Sequence, residues 1–274
     1  MDKNLFQNDH ITGNSILGFD IKGQFKDDEN IMMVKLKDIL NRNVQFSNID
    51  YKLLEPSDNN VVLIKDGSYF EIKTPMYSYF EAIFIFPKLL EFLKSLKEYK
   101  NSYLYVRIGF NKDFADVSQI NITKFILEFN EDYILSHLTD ITKDGSIEKL
   151  TDIKPNSLES CMDSIQKQIE SMKFSDDVDE IYGIGFNGLK LGFITFKYAS
   201  EINYRDKWEE LLKCINHTII TIYNCVSVPN FNDGEINKIS SMDKKFKDTL
   251  ESFCCYELFK EKYKGIKITS DLNT

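Results

Sequence analysis

Between Tyr103 and Gly109 the chain alternates without interruption: Leu104, Val106 and Ile108 fall on one side of an extended backbone, and Tyr103, Tyr105 and Arg107 on the other. A strand with one apolar and one polar face belongs in a sheet that covers a core on one side only, the ordinary arrangement of antiparallel sheets. Polar residues two positions apart recur at Asp20 and Lys22 within Leu17–Phe25, at Glu71 and Lys73, and at Thr195 and Lys197. That spacing puts both members of each pair on one face of one strand. Either these faces converge on a single polar surface, or they are unrelated solvated faces, and periodicity leaves both open.

Around these strands the pattern alternates with helices, which gives an α+β fold with a largely antiparallel sheet and packed helices. Met33, Leu36 and Leu40 predict a helix over 31–40, and Leu89, Leu90, Leu93 and Leu96 another over 79–99, with Pro87 in its first turn or at a kink. Asp66-Gly67 predicts a tight hairpin between strands at 61–64 and 69–72, and Thr74-Pro75 ends it. From a cap at Asp116 or Ser118, the stripe Ile122, Ile126, Phe129 and Tyr133 predicts one helix ending near Leu138. A second hairpin is expected about Asn187-Gly188, and helices over 156–172, 208–222 and 242–253. Residues 1–14 read as an N-terminal arm, 15–265 as a single domain of two halves with a seam near 139–156, and 266–274 as a tail or edge strand.

Forty-three acidic against 34 basic residues give a net charge of -9, unfavourable for nucleic acid or an anionic membrane surface unless the cations segregate. No apolar run reaches the roughly 18 residues that a spanning helix needs, and the first residues lack the charge and apolar segment of a secretory leader, so a cytoplasmic place of synthesis is expected. The five cysteines have no C-x-x-C spacing and the three histidines are scattered, so neither a zinc site nor a His-paired nucleophile is indicated. His217 falls off the apolar stripe of its helix and reads as solvated. Gly183, Gly185 and Gly188 spell G-x-G-x-x-G, but a strand rather than a helix follows, which points to a turn and not a dinucleotide site.

Four stretches, Gly18-Phe19-Asp20-Ile21-Lys22, Glu71-Ile72-Lys73-Thr74-Pro75, Tyr103 to Gly109, and Thr195-Phe196-Lys197 ahead of the Trp208 helix, occur in the order of the motifs of the amidoligase family. The chain resembles that family, ATP-dependent carboxylate-amine ligases with a glutamine-synthetase-like architecture, over about residues 15–255. The family motifs run G-[FV]-E-[IL]-E, E-[IL]-x-[ST]-P, G-L-H-V-H-[VI]-G and E-F-R. Here Asp20 shortens the first acid, Lys22 inverts the charge of the second, Tyr105 and Arg107 stand at the two histidines, and Thr195 and Lys197 replace the late glutamate and arginine; Glu71 alone is unchanged.

The resemblance therefore implies a vestigial cleft lined by Asp20, Lys22, Glu71, Tyr105, Arg107, Thr195 and Lys197, with no catalytic residue, metal or cofactor, its carboxylates paired internally with Lys22, Lys73, Arg107 or Lys197. The expectation is a non-catalytic structural or assembly protein with protein partners in an oligomeric assembly. Its expected setting is a bacteriophage virion, since phages carry amidoligase-like proteins. Phe84-Ile85-Phe86 is a candidate for subunit contacts, with burial in the domain's own core the competing use. The alternative is a working ligase using ATP and magnesium, with Asp20 and Glu71 on the metal, Arg107 and Lys197 on phosphates and Tyr105 orienting the acceptor. A third possibility is an unrelated α+β binding module.

Overall fold

The computed structural model describes residues 9–48, 60–96, 100–120, 125, 128–138, 183–186, 188–200, 204 and 206–227. In chain order the elements are β1 (Ser15–Gln24), α1 (Glu29–Leu40), β2 (Asn43–Asn48), β3 (Asn60–Asp66), β4 (Tyr69–Lys73), β5 (Tyr77–Ser78), α2 (Tyr79–Lys94), β6 (Lys100–Phe110), α3 (Glu131–Leu138), β7 (Ile184–Gly185), β8 (Phe193–Ser200) and α4 (Trp208–Ser227). The strands form one mixed, mostly antiparallel sheet in the order β2-β3-β4-β1-β6-β8-β7, with β5 also paired to β1 and only β2–β3 parallel. The α+β class read from the pattern is the class observed.

Alternation decides what each strand buries. Leu17, Phe19 and Ile21 of β1, Ile72 of β4, Leu104, Val106 and Ile108 of β6, and Ile194 and Phe196 of β8 are almost fully buried. Phe19 stacks on Phe86 of α2, ring centroids 4.9 Å apart and planes 2° from parallel, so the helices lie on this side of the sheet. On α4, Leu211, Ile215, Ile219 and Ile222 repeat at helical spacing and are all buried.

Local signals set most element ends. Asp28 accepts from Asn30 N at the start of α1, and Asn41, left-handed at φ 50°, ends it. The β3–β4 hairpin turns through Gly67 and Ser68, with Gly67 at φ 57°. Pro87 lies inside α2, which runs unbroken past it from Tyr79 to Lys94. Residues 9–13, within the stretch read as an arm, make a helical turn that buries Ile11, and Ser15 Oγ donates to Thr12 O at 2.7 Å.

Two elements differ from the sequence reading. The helix expected from Asp116 to Leu138 is divided: Asp116 caps only a short 3-10 turn at Val117–Gln119, and α3 starts afresh at Glu131. Asn130 accounts for the break, since its Oδ1 accepts from Tyr133 N at 3.1 Å, the bond of an N-cap, which competes with continuation of the helix. The second hairpin is not a tight one: Leu189 N donates to Phe186 O at 3.1 Å, and a 3-10 turn at Leu189–Leu191 and Gly192, at φ 84°, then delay β8 until Phe193. A Cβ on Gly183 would stand 2.0 Å from the Tyr198 ring, and one on Gly188 2.1 Å from the Phe193 ring. These glycines make room for aromatic rings and not for a pyrophosphate. The helices expected over 156–172 and 242–253, the seam and the tail lie outside the described residues.

His217 is half-buried rather than solvated, because Tyr133 of α3 and Phe129 just before it lie 4.9 and 6.2 Å from its ring. Its Nε2 is buried without a hydrogen-bond partner among the described residues, and burial lowers its pKa below the ordinary 6.5. Unfolding therefore takes up a proton as pH falls through about 6.5, so this histidine's contribution to stability is complete above that pH and declines below it. Urea midpoints measured from pH 7.5 to 5 should fall on acidification in the native chain and fall less in His217→Asn. Phe19→Ala should cost about 3–5 kcal/mol, read from the same titrations at pH 7.

Candidate functional site

The polar pairs converge. In the sheet register Asp20 stands opposite Lys73 on one side and Tyr105 on the other, Lys22 opposite Glu71 and Tyr103, Gly18 opposite Arg107, and Arg107 opposite Thr195. Asp20, Lys22, Glu71, Lys73, Tyr105, Arg107, Thr195 and Lys197 therefore share the sheet face opposite to Leu17, Phe19 and Ile21. Every site residue read from the sequence lies on this one surface of β4, β1, β6 and β8.

Arg107 is the most deeply held of the group, 5% exposed although it is fully charged. Its Nη2 lies 3.0 Å from Asp20 Oδ1, donates a short hydrogen bond to Thr74 O, and its guanidinium sits 5.7 Å from the centre of the Phe193 ring. The backbone is shaped around it. Phe19 and Thr74 exchange bonds, Thr74 N donating to Phe19 O at 2.9 Å and Phe19 N to Thr74 Oγ1 at 2.8 Å. Thr74-Pro75-Met76 leaves the β4 line before β5 rejoins β1, and this exposes the Thr74 carbonyl to the guanidinium. Gly18 supplies the space, since a Cβ there would stand 2.8 Å from Met76 Sδ and 3.0 Å from Arg107 Cζ.

Glu71 is the second carboxylate on this face. Its Oε1 lies 3.6 Å from Lys22 Nζ and 3.8 Å from Lys73 Nζ. Tyr105 stands between further cations, with Lys22 Nζ 5.8 Å and Lys197 Nζ 5.9 Å from its ring centre. The register of β6 and β8 shifts between Leu104 and Val106, so that Lys197 and Tyr198 together oppose Tyr105. Tyr198 follows Ile194 and Phe196 into the core, where its hydroxyl donates to the buried Glu131 at 2.6 Å, while Lys197 stays on the polar face. Burial, and next the Glu131 charge, push the Tyr198 hydroxyl well above its usual pKa.

Thr74, Gly18 and Phe193 are structural parts of the site that the strand alternation does not single out. Thr-Pro at a strand end is the one local signal that could have indicated Thr74. Among the described residues no three His, Cys, Asp or Glu side chains gather where a metal ion could be held, and no helix is long and apolar enough to cross a membrane. Comparison with family models, curated proteins and solved structures returned no match.

The arrangement separates one tight pair, Asp20–Arg107, from a looser group about Glu71. Removing one partner of a buried pair leaves the other charged and desolvated, so Arg107→Met should destabilise by roughly 3–5 kcal/mol. Adding Asp20→Asn should recover part of that loss, and Lys22→Ala alone should change stability by less than about 1 kcal/mol. Denaturant unfolding of the native chain, Arg107→Met, Asp20→Asn and the double variant measures the coupling.

Proposed function

We propose that the chain is a non-catalytic structural or assembly protein, built on a sheet that keeps the layout of a carboxylate-amine ligase floor without its metal-binding charge. One observation carries this reading: both described carboxylates of the polar face are engaged by side-chain cations, Asp20 by Arg107 at 3.0 Å, and Glu71 by Lys22 and Lys73 at 3.6 and 3.8 Å. Magnesium takes carboxylate oxygens at about 2.0–2.1 Å and would sit beside these ammonium groups. A divalent ion about 4 Å from one unit charge is repelled by about 8 kcal/mol at an effective dielectric near 20. Lys22, placed where the resemblance calls for a second carboxylate, supplies much of that repulsion.

Two further points support the kinship behind this reading. The strands bearing Asp20, Tyr105 and Thr195 are neighbours in one sheet, as the resemblance requires, and their polar side chains share a face. The setting we propose is a bacteriophage virion, with protein partners in a defined oligomer. That part rests on the resemblance and on an Asn-, Ile- and Lys-rich composition.

Calorimetric titration with ATP, with and without magnesium, tests the proposal directly. No magnesium-dependent binding is expected at millimolar nucleotide; binding that needs magnesium and disappears in Glu71→Gln would establish the ligase instead. Light scattering of the purified chain should show a defined assembly rather than a monomer.

A further inference from the structure

Around Glu71, the described side chains of the polar sheet face carry a charge opposite in sign to that of the chain. Lys22 and Lys73 have a single carboxylate between them, since both ammonium groups reach the same Glu71 Oε1. Among the described residues, Asp20 on the same face stands against Arg107. In a chain of net charge -9 this surplus is not part of a generally basic surface. It is local, and it is built on strands that fix its geometry.

The two ammonium groups of Lys22 and Lys73 can be no farther apart than the sum of their distances to Glu71 Oε1. Two oxygens of one phosphate or carboxylate group can meet a pair of donors so placed, and bonds from ammonium to oxyanion are among the stronger hydrogen bonds. Access comes from the Lys22 side, where the side chain is 43% exposed, while Lys73 is only 18% exposed. A charge held in such a half-covered place acts through less water than one on an open surface.

We propose that this face binds a small oxyanion, a phosphate or carboxylate group, between Lys22 and Lys73 without a divalent metal. Glu71 is the internal anion with which the ligand competes for the two ammonium groups. The inference rests on the metal-free reading of the face given above and adds what the face takes in place of a metal. It assigns Glu71 a role opposite in sign to the one it has in a ligase. In a ligase that carboxylate recruits the metal that holds the phosphates; here it repels the ligand, and its neutralisation strengthens binding.

The experiment is calorimetric titration of the full chain with inorganic phosphate and, separately, with succinate, each with and without magnesium. At least one anion should bind without metal, and more weakly as salt is raised. Affinity should fall at least about tenfold in Lys22→Gln/Lys73→Gln, hold in Lys73→Arg, and rise about fivefold in Glu71→Gln. If the double variant does not fold, as judged by circular dichroism, Lys22→Gln alone carries the test, since that side chain is half exposed. Failure of both anions to bind, or affinity unchanged on removal of the lysines, overturns this inference and leaves the non-catalytic reading standing. Anion binding that requires magnesium and is lost in Glu71→Gln overturns both.

Discussion

The placement of Arg107 is the constraint on which the rest of the sheet depends. A guanidinium cannot shed its proton under ordinary conditions, so a chain that buries one must bring an acid and a carbonyl to it. Asp20 provides the acid from β1 and Thr74 the carbonyl from the end of β4. These demands fix neighbouring backbone. Gly18 must lack a side chain for the guanidinium to pass, and Thr74-Pro75-Met76 must depart from the β4 line, so that β1 is paired first by β4 and then by β5. The central strand is thus held on one edge by two short strands and on the other by the long β6, while its odd-numbered residues hold the helices.

That division of labour explains why much of the site was legible in the sequence. Strand alternation is a strong signal when one face is apolar and the other polar, and each of the pairs 20/22, 71/73, 105/107 and 195/197 lies on such a strand, although Arg107, Thr195 and Lys197 are themselves buried. Convergence onto one surface was not legible, because it depends on register, which nothing in the alternation of a single strand determines. Thr74 and Phe193 escaped for a related reason: each acts on Arg107 across the sheet.

The departures in the helical part have local causes. A four-residue stripe outweighs a single polar residue when periodicity is counted, yet Asn130 ends the preceding segment and starts α3 through one side-chain bond. His217 lies off the Ile215–Ile219–Ile222 stripe, but Tyr133 of α3 and Phe129 just before it reach that flank of α4 and cover it. Periodicity within one helix cannot report how wide a face its neighbours cover. Within Phe84-Ile85-Phe86, Ile85 and Phe86 turn into the core and Phe84 is 66% exposed, so adjacent apolar residues serve different faces.

The charge at position 22 matters more than its single residue suggests, because strand geometry leaves it no other place to act. Its neighbours across the sheet are Glu71 and Tyr103, and its side chain reaches Glu71 on one side and the Tyr105 ring on the other. A carboxylate in that position would stand beside Glu71 and repel it, and a bound cation could then relieve the strain on both. An ammonium satisfies Glu71 without any ligand and turns the remaining charge of the face positive, since Lys73 already faces the same oxygen. The sheet is indifferent to this exchange, because position 22 points away from the core and both side chains extend equally well from a strand. A change of sign at one polar position can therefore alter the ions the surface attracts while the apolar face, and the fold with it, is left as it was.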